Sequence, residues 1–216
     1  MNKNPQALFD EDYYLNGLAT HKSNYENYHW MPETTTNMAH YLIRHLGIRQ
    51  NDSILDFGCA RGYIVKAMRN LKIQAFGYDV SEWAINNCDE EVKQFVSNTF
   101  MNVRYAYDFI LAKDVFEHIP EIELSKIIPQ LLKWVQNSLF ITVPLTSFRD
   151  GPYVCPRDEM DATHVIRWTV VDWMNFLIQL APKNFIVSVS TRIPVIKPMC
   201  EVYPMSYGFF RVYKYE

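Results

Sequence analysis

The sequence lacks most features that mark membrane proteins and nucleic-acid-binding proteins. No run of about 18 apolar residues occurs, and the first residues, MNKNPQALFDEDYY, are polar and acidic, so the sequence predicts neither a transmembrane helix nor a signal peptide. Basic residues number 21 and acidic residues 24, which gives a net charge of −3 and no basic surface for nucleic acid or anionic lipid. We therefore expect a cytoplasmic protein with no nucleic-acid or membrane partner.

Cysteine is scarce and scattered. The four residues, Cys59, Cys88, Cys155 and Cys200, form no CxxC pair and no Cys/His cluster with the spacing of a zinc site. In a reducing cytosol such residues are expected to be free thiols. We accordingly predict neither disulfides nor a bound metal.

No repeat and no linker rich in glycine, proline or serine divides the chain. Its 216 residues, 49% of them apolar, are enough to bury the core of one globular domain. We predict a single domain, residues 1–216, with four segments. These are an N-terminal helical or lid segment (1–47), a ligand-binding core (48–144), an irregular insertion (145–168) and a C-terminal helix with two strands (169–216).

Apolar runs that alternate with helical periodicity predict an α/β fold. Helices are expected to be capped by a residue among Thr34–Thr36, by Ser81 and by Thr169. Strands are expected at 53–57, 74–79, 91–96, 107–113 and 137–144, and then at 184–193 and 208–215 with no helix between them. This pattern predicts a seven-stranded, mostly parallel sheet with helices on both faces and an antiparallel last strand, which brings Asp56, Asp79 and Asp114 to one edge.

The stretch SILDFGCARGYIVKAM, residues 53–68, places a tight loop between a strand and a helix. A dinucleotide loop, G-x-G-x-x-G, would need glycine where Ala60 and Tyr63 stand, and a P-loop would need a second glycine and a lysine that are not in place. The pattern present is D-x-G-x-x-x-G, formed by Asp56, Gly58 and Gly62. Both phosphate-binding interpretations of the loop are therefore weak.

This loop resembles that of the class I S-adenosylmethionine-dependent methyltransferases, which carry an acidic-x-Gly-x-Gly-x-Gly motif after the first strand of a Rossmann-like sheet. Ala60 replaces the middle glycine, and we expect its φ to be negative, where an alanine is tolerated. The resemblance implies that Asp79 binds the ribose of the methyl donor, that Val80 flanks its adenine and that Asn98 binds the adenine amino group. It also implies that residues 48–144 bind the donor and that the 145–168 insertion closes over the acceptor.

The donor's amino-acid part would use the loop itself. Asp56 can balance the donor's ammonium group, and the backbone N–H groups of 58–62 suit its carboxylate. An aromatic N-terminal segment that includes Tyr14 either covers the donor or simply packs on the core. The predicted donor-binding residues are Tyr14, Asp56, Gly58, Cys59, Ala60, Gly62, Tyr63, Asp79, Val80, Asn98, Asp114 and Val115.

Two histidines are the candidate catalytic groups. His118 lies in DVFEHI, residues 114–119, which resembles the segment after the fourth strand in small-molecule methyltransferases, and His164 lies in DATHVIRWT of the insertion. Either could accept a proton from a hydroxyl acceptor, since histidine titrates near neutral pH, or could be structural. His164, Arg167 and Trp30 are the predicted substrate-binding residues, although Arg167 could equally pair with Asp161 or Glu159.

The stretches FDEDYYLNG, DFGCARGY and GYDVSEWAI resemble methyltransferases that tailor surface polysaccharides and related metabolites. The resemblance implies O-methylation of a sugar, a nucleotide-sugar or a polysaccharide precursor by a monomer or homodimer that uses S-adenosylmethionine, releases S-adenosylhomocysteine and needs no metal. Three alternatives stay open: N-methylation of a small metabolite, a non-catalytic subunit that binds the same nucleoside, and a nicotinamide oxidoreductase, which Tyr63 disfavours.

Overall fold

The computed structural model describes residues 7–99 and 106–215. The chain divides into two compact units, of which the first spans Met1–Tyr105 and Met160–Thr163 and the second spans Ala106–Glu159 and His164–Glu216. Among the described residues, none of the helices is both long enough and apolar enough to cross a bilayer.

The described residues of the first unit form three parallel strands in the order β3-β2-β1 and five α-helices. The strands are β1 (Ser53–Phe57), β2 (Gln74–Tyr78) and β3 (Val96–Ser97). The helices are α1 (Glu11–Leu15), α2 (Gly17–Thr20), α3 (Pro32–Leu46), α4 (Tyr63–Asn70) and α5 (Glu82–Asn86). Because β1 and β2 are parallel and Phe57 pairs with Tyr78, the loop after β1 and the residue after β2 leave the sheet at the same edge.

The helix ends of the first unit follow local chemistry, with one error of prediction. The Ser81 hydroxyl accepts a hydrogen bond from the Ala84 N–H and caps α5, as predicted. Helix α3 ends at Gly47, whose φ is 74°. It begins at Pro32 rather than at a threonine cap, because proline suits the first helical position, where no N–H donor is needed.

The third strand is much shorter than predicted. Instead of 91–96, only Val96–Ser97 pairs with β2, and the 3-10 helix Lys93–Phe95 precedes it. The Lys66 ammonium of α4 binds the carboxylates of Asp89 (2.6 Å) and Glu91 (3.4 Å). The backbone then turns, with the Val92 N–H donating to the Asp89 carbonyl, so this acidic run cannot extend as a strand.

The second unit contains four strands in the order β4-β5-β7-β6. The strands are β4 (Tyr107–Lys113), β5 (Val135–Pro144), β6 (Phe185–Ser190) and β7 (Tyr207–Lys214), and the helices are α6 (Glu121–Trp134), α7 (Val170–Leu180) and α8 (Met199–Val202). Strands β4 and β5 are parallel, whereas β7 is antiparallel to both β5 and β6. The described residues thus supply seven strands to a mixed sheet, which confirms the predicted fold class and the antiparallel last strand.

Local sequence signals also explain several elements of the second unit. Thr169 and Asp172 form a reciprocal capping box at the start of α7, as predicted for Thr169. Strand β5 is buried from Ser138 to Pro144, which explains its continuous apolar run. The 145–168 stretch is largely irregular, with one bridge between Thr146 and Tyr153 and the 3-10 helix Pro156–Met160.

Candidate active site

The loop after β1 folds into a tight turn beside the end of β2. The N–H groups of Gly58 and Cys59 both donate to the carbonyl of Tyr78, at 2.7 and 3.0 Å. Gly58 and Gly62 have φ of 84° and 75°, values that favour glycine. Gly62 is also the N-cap of α4, and its own N–H donates to the Cys59 carbonyl. With the bond from Ala60 to Asp79, four of the five N–H groups of residues 58–62 are engaged within the protein.

Ala60 has a backbone conformation opposite to the predicted one. Its φ is 48°, in the left-handed region that costs an L-residue about 1–2 kcal/mol. The middle position of the motif therefore keeps the conformation that suits glycine although its side chain is a methyl group. A hydrogen bond from the Ala60 N–H to Asp79 stabilises this arrangement.

Asp79 is buried directly after β2 and connects three parts of the chain. One carboxylate oxygen accepts from the Ala60 N–H at 2.7 Å and the other from the Ser81 N–H at 2.8 Å. Its own N–H donates to the Ser97 carbonyl at the end of β3. Burial raises the pKa of Asp79 to about 6, although the two backbone hydrogen bonds oppose this shift.

The remaining predicted residues near this turn have different degrees of exposure. Asp56 is buried at the end of β1, and Cys59 packs against Gly77, where an added Cβ would lie 2.6 Å from the cysteine sulfur. Val80 and Asn98 are both half-buried. Asn98 directly follows β3, so it lies beside the strand end that Asp79 contacts.

Aromatic residues of the N-terminal segment pack onto this loop. Tyr14 is buried and stacks on Trp83 of α5 with ring centroids 5.4 Å apart. Tyr28 contacts both Tyr14 and Tyr63, at 5.6 and 5.1 Å between centroids, and Ala60 packs against the same cluster. Burial, followed by the charge of Asp79, raises the pKa of Tyr14 well above its ordinary value, so its hydroxyl stays protonated.

Sequence reasoning missed Arg61 as a link between the loop and this cluster. Its guanidinium donates to the carbonyls of Asn87 (2.7 Å) and Tyr28 (3.1 Å) and lies over the Tyr63 ring. Trp30, a predicted substrate-binding residue, is half-buried and contacts the Tyr63 ring. No motif marks Arg61, since its partners are backbone carbonyls distant in sequence.

In the second unit, the predicted donor-binding residues Asp114 and Val115 follow β4. Asp114 has a φ of 57° and forms ion pairs of 2.6 Å with both Lys113 and Lys197. Burial opposes its ionisation, but the two lysines hold the pKa of Asp114 below its ordinary value. Lys197 was not predicted, because it lies more than 80 residues further along the chain.

The two predicted catalytic histidines of the second unit lie together. The imidazole centroids of His118 and His164 are 4.7 Å apart, and Glu117 joins them. Glu117 is 1% exposed, and its Oε2 has no hydrogen-bond partner among the residues that the structure describes. Burial, followed by the charge of Asp114, raises the pKa of Glu117 well above its ordinary value.

Arg167 forms the ion pair that was one of its two predicted roles. Its guanidinium makes two hydrogen bonds to Glu159, at 2.7 and 2.9 Å, and lies 4.7 Å from the centroid of Tyr153. Of the two ion-pair partners that the sequence suggests, Asp161 and Glu159, the structure shows Glu159. The guanidinium charge is thus balanced by a carboxylate.

Comparisons with known proteins show structures of similar fold. The structure is similar to that of a SAM-dependent methyltransferase from Archaeoglobus fulgidus, with 15% identity, a TM-score of 0.61 and coverage of 83% of this chain and 94% of that chain. Magnesium protoporphyrin IX methyltransferase (ChlM) from Synechocystis PCC 6803, solved with bound SAH, has 13% identity, a TM-score of 0.60 and coverage of 85% and 83%. The [4+2]-cyclase SpnF has 13% identity, a TM-score of 0.59 and coverage of 83% and 81%.

At these identities, structural similarity shows the fold alone. No curated protein matches the chain by sequence. A family model described as "Methyltransferase domain" matches residues 29–179, which is more than half of the chain and includes the loop after β1, Asp79, Glu117 and both histidines. The chain therefore belongs to the methyltransferase domain family.

Proposed function

We propose that the protein is an S-adenosylmethionine-dependent methyltransferase whose donor binds to the first unit. The observation that carries this proposal is the buried Asp79 carboxylate, held by the N–H groups of Ala60 and Ser81 where β2 ends. At neutral pH a carboxylate with a pKa of about 6 is mostly ionised. It can therefore accept charge-assisted hydrogen bonds from the ribose hydroxyls of the donor.

The loop after β1 suits the amino-acid part of the donor. The N-terminus of α4, which follows the loop, suits a carboxylate because the helix dipole favours an anion there, and the buried Asp56 supplies the negative charge that balances an ammonium group. Val80 and Asn98 are the proposed adenine contacts. Tyr14 and its aromatic neighbours lie against Ala60 and are proposed to cover the donor.

The proposed acceptor is a small polar molecule with a hydroxyl group, such as a sugar, a nucleotide-sugar or a polysaccharide precursor. In the reaction the acceptor oxygen attacks the methyl carbon, the S–CH₃ bond breaks, and the sulfur keeps the electron pair, so the sulfonium becomes a neutral thioether. The hydroxyl proton must leave. We assign assistance of that step to His118 and His164, and contact with the acceptor to His164 and Arg167 of the same unit.

Two measurements on the purified chain test this proposal. Calorimetry is expected to show binding of S-adenosylhomocysteine and none of NADH. Incubation with methyl-labelled S-adenosylmethionine and a pool of small metabolites is expected to label one acceptor class. The second assay is needed because the fold also occurs in SpnF, which is described as a cyclase. Donor binding without any transfer would instead indicate a non-catalytic subunit, and absence of donor binding would refute the proposal.

A further inference from the structure

Glu117, His118 and His164 form a compact group in the second unit. One potential ligand atom from each residue lies within 4.8 Å of the other two. Glu117 and His118 belong to the segment that follows β4, whereas His164 comes from the irregular stretch before α7. The grouping therefore arises from tertiary structure and not from a local sequence motif.

Backbone hydrogen bonds hold the two segments together independently of these side chains. The N–H groups of Val165 and Ile166 both donate to the Glu117 carbonyl, at 2.8 and 3.1 Å. The Tyr153 hydroxyl donates to the Ile166 carbonyl at 2.7 Å, and its ring lies edge-on to His164 at 5.2 Å between centroids. The three side chains are thus positioned by a rigid frame, which is what a preorganised site needs.

A second observation indicates that something binds at this group. Glu117 is 1% exposed, yet within residues 7–99 and 106–215 no group forms a hydrogen bond with its buried Oε2. A buried polar atom left unpaired costs about 1–3 kcal/mol, and native proteins rarely contain one without a compensating ligand, water or function. A cation bound between the carboxylate and the two imidazoles would satisfy this oxygen.

Contrary to the expectation from the sequence that no metal is bound, we propose that Glu117, His118 and His164 bind one divalent transition-metal ion, with Zn²⁺ as the representative. Two imidazoles and one carboxylate form one of the ligand sets found in catalytic zinc sites, which keep at least one coordination position open. Nitrogen ligands favour such ions over Mg²⁺ and Ca²⁺, which prefer oxygen. Ligand atoms within 4.8 Å of one another can share one ion at about 2.0–2.2 Å after small side-chain rotations.

The role of the ion in the reaction rests on the proposed function, whereas the binding of the ion is independent of it. A hydroxyl bound at the open position would have a lowered pKa, so the acceptor would release its proton to solvent before it attacks the methyl group. The histidines would then assist deprotonation as ligands of the ion. This role selects acceptors that offer a hydroxyl oxygen.

The test uses the untagged chain of residues 1–216, stripped with a chelator and titrated with Zn²⁺ in the absence of donor and acceptor. Calorimetry is expected to show one equivalent bound, and the melting temperature is expected to rise with Zn²⁺ concentration. Glu117→Gln and His164→Ala are each expected to weaken binding by at least tenfold. His40→Ala, which alters an exposed histidine of α3, is the matched control and is expected to bind as the unmodified chain does.

Two results would overturn the inference: no stoichiometric Zn²⁺ binding, or unchanged affinity in both the Glu117→Gln and His164→Ala variants. Glu117→Gln keeps the backbone carbonyl that holds 165 and 166, so it is expected to fold, and its affinity for S-adenosylhomocysteine, which tests the first unit, should be unchanged. Normal S-adenosylhomocysteine binding without Zn²⁺ binding refutes the metal site alone. Zn²⁺ binding without any methyl transfer refutes the proposed function alone.

Discussion

The Tyr13 hydroxyl donates a buried hydrogen bond of 2.8 Å to the carboxylate of Asp161, 148 residues further along the chain. The same carboxylate accepts from the N–H and the hydroxyl of Thr163, and the Ala162 N–H donates to the Lys22 carbonyl. All of these residues belong to the first unit. The N-terminal segment is therefore fixed by specific polar bonds as well as by aromatic packing.

Tyr13→Phe is expected to lower the free energy of unfolding by about 1.5–3 kcal/mol, the usual net value of a hydrogen bond to a charged group. Chemical denaturation of both proteins measures this change in the free energy of unfolding. Tyr41→Phe, which removes an exposed hydroxyl near His45, is the control and should change stability by less than about 0.5 kcal/mol. Equal effects of the two substitutions would show that the Asp161 bond contributes nothing.

Asp79→Asn is expected to weaken S-adenosylhomocysteine binding by about 1.5–3 kcal/mol, because the amide loses the charge-assisted bond to the ribose. Isothermal calorimetry measures the change. Glu82→Gln removes an exposed carboxylate three residues further along and should leave the affinity unchanged. Unaltered affinity in Asp79→Asn would exclude the ribose-binding role.

The affinity for S-adenosylhomocysteine is expected to depend on pH through Asp79. The raised pKa of about 6 means that the ionised form, which the ribose hydroxyls need, predominates above pH 7 and is lost as the pH falls through 6. Affinity should thus be constant above pH 7 and fall by up to about tenfold per unit below 6. Calorimetry between pH 5 and 8 tests this, and in Asp79→Asn the inflection near pH 6 should vanish.

Ala60→Gly is expected to cost little or no stability, since relief of the left-handed strain offsets the greater freedom of glycine in the unfolded chain. Ala84→Gly, at a buried helical position of α5, should instead destabilise the protein by about 1 kcal/mol. Thermal unfolding of both variants gives the comparison. A loss of stability in Ala60→Gly as large as that in Ala84→Gly would show that the backbone of Ala60 is not strained.

His164→Ala is expected to reduce methyl transfer by about 100-fold or more while S-adenosylhomocysteine affinity changes less than twofold, because loss of assistance with the proton slows the reaction step. The labelled-methyl assay measures the rate of transfer, and calorimetry measures the affinity for S-adenosylhomocysteine. His40→Ala again serves as the control. Transfer at the unmodified rate in His164→Ala would leave this histidine a structural residue only.

Much of the fold follows from local sequence. Strand β1 and the caps at Ser81 and Thr169 depend on neighbours a few residues away, so periodicity and capping rules could predict them. The prediction of the third strand failed because Lys66, which forms ion pairs with Asp89 and Glu91, lies on another element of the fold. The prediction for the φ of Ala60 failed for a similar reason, since the carboxylate that accepts the hydrogen bond of its N–H belongs to Asp79, 19 residues further along the chain.

The candidate site was only partly predictable. The motif spacing located the loop and Asp79, and the position after β4 indicated His118. The sequence does not reveal that Glu117 is buried with an unpaired oxygen, since burial depends on the whole fold. The sequence also does not reveal that the ring of His164 lies against the ring of His118, 46 residues earlier in the chain.

The hydrogen bonds of Asp79 have a simple stoichiometric consequence. Each carboxylate oxygen can accept two donors, and each now accepts one backbone N–H, from Ala60 or Ser81. One lone pair per oxygen remains, which equals the number of donors in a vicinal diol. Under the proposed function, the ribose of the donor would therefore bind without breaking either backbone hydrogen bond. The two carboxylate oxygens that hold the turn would then also orient the ribose.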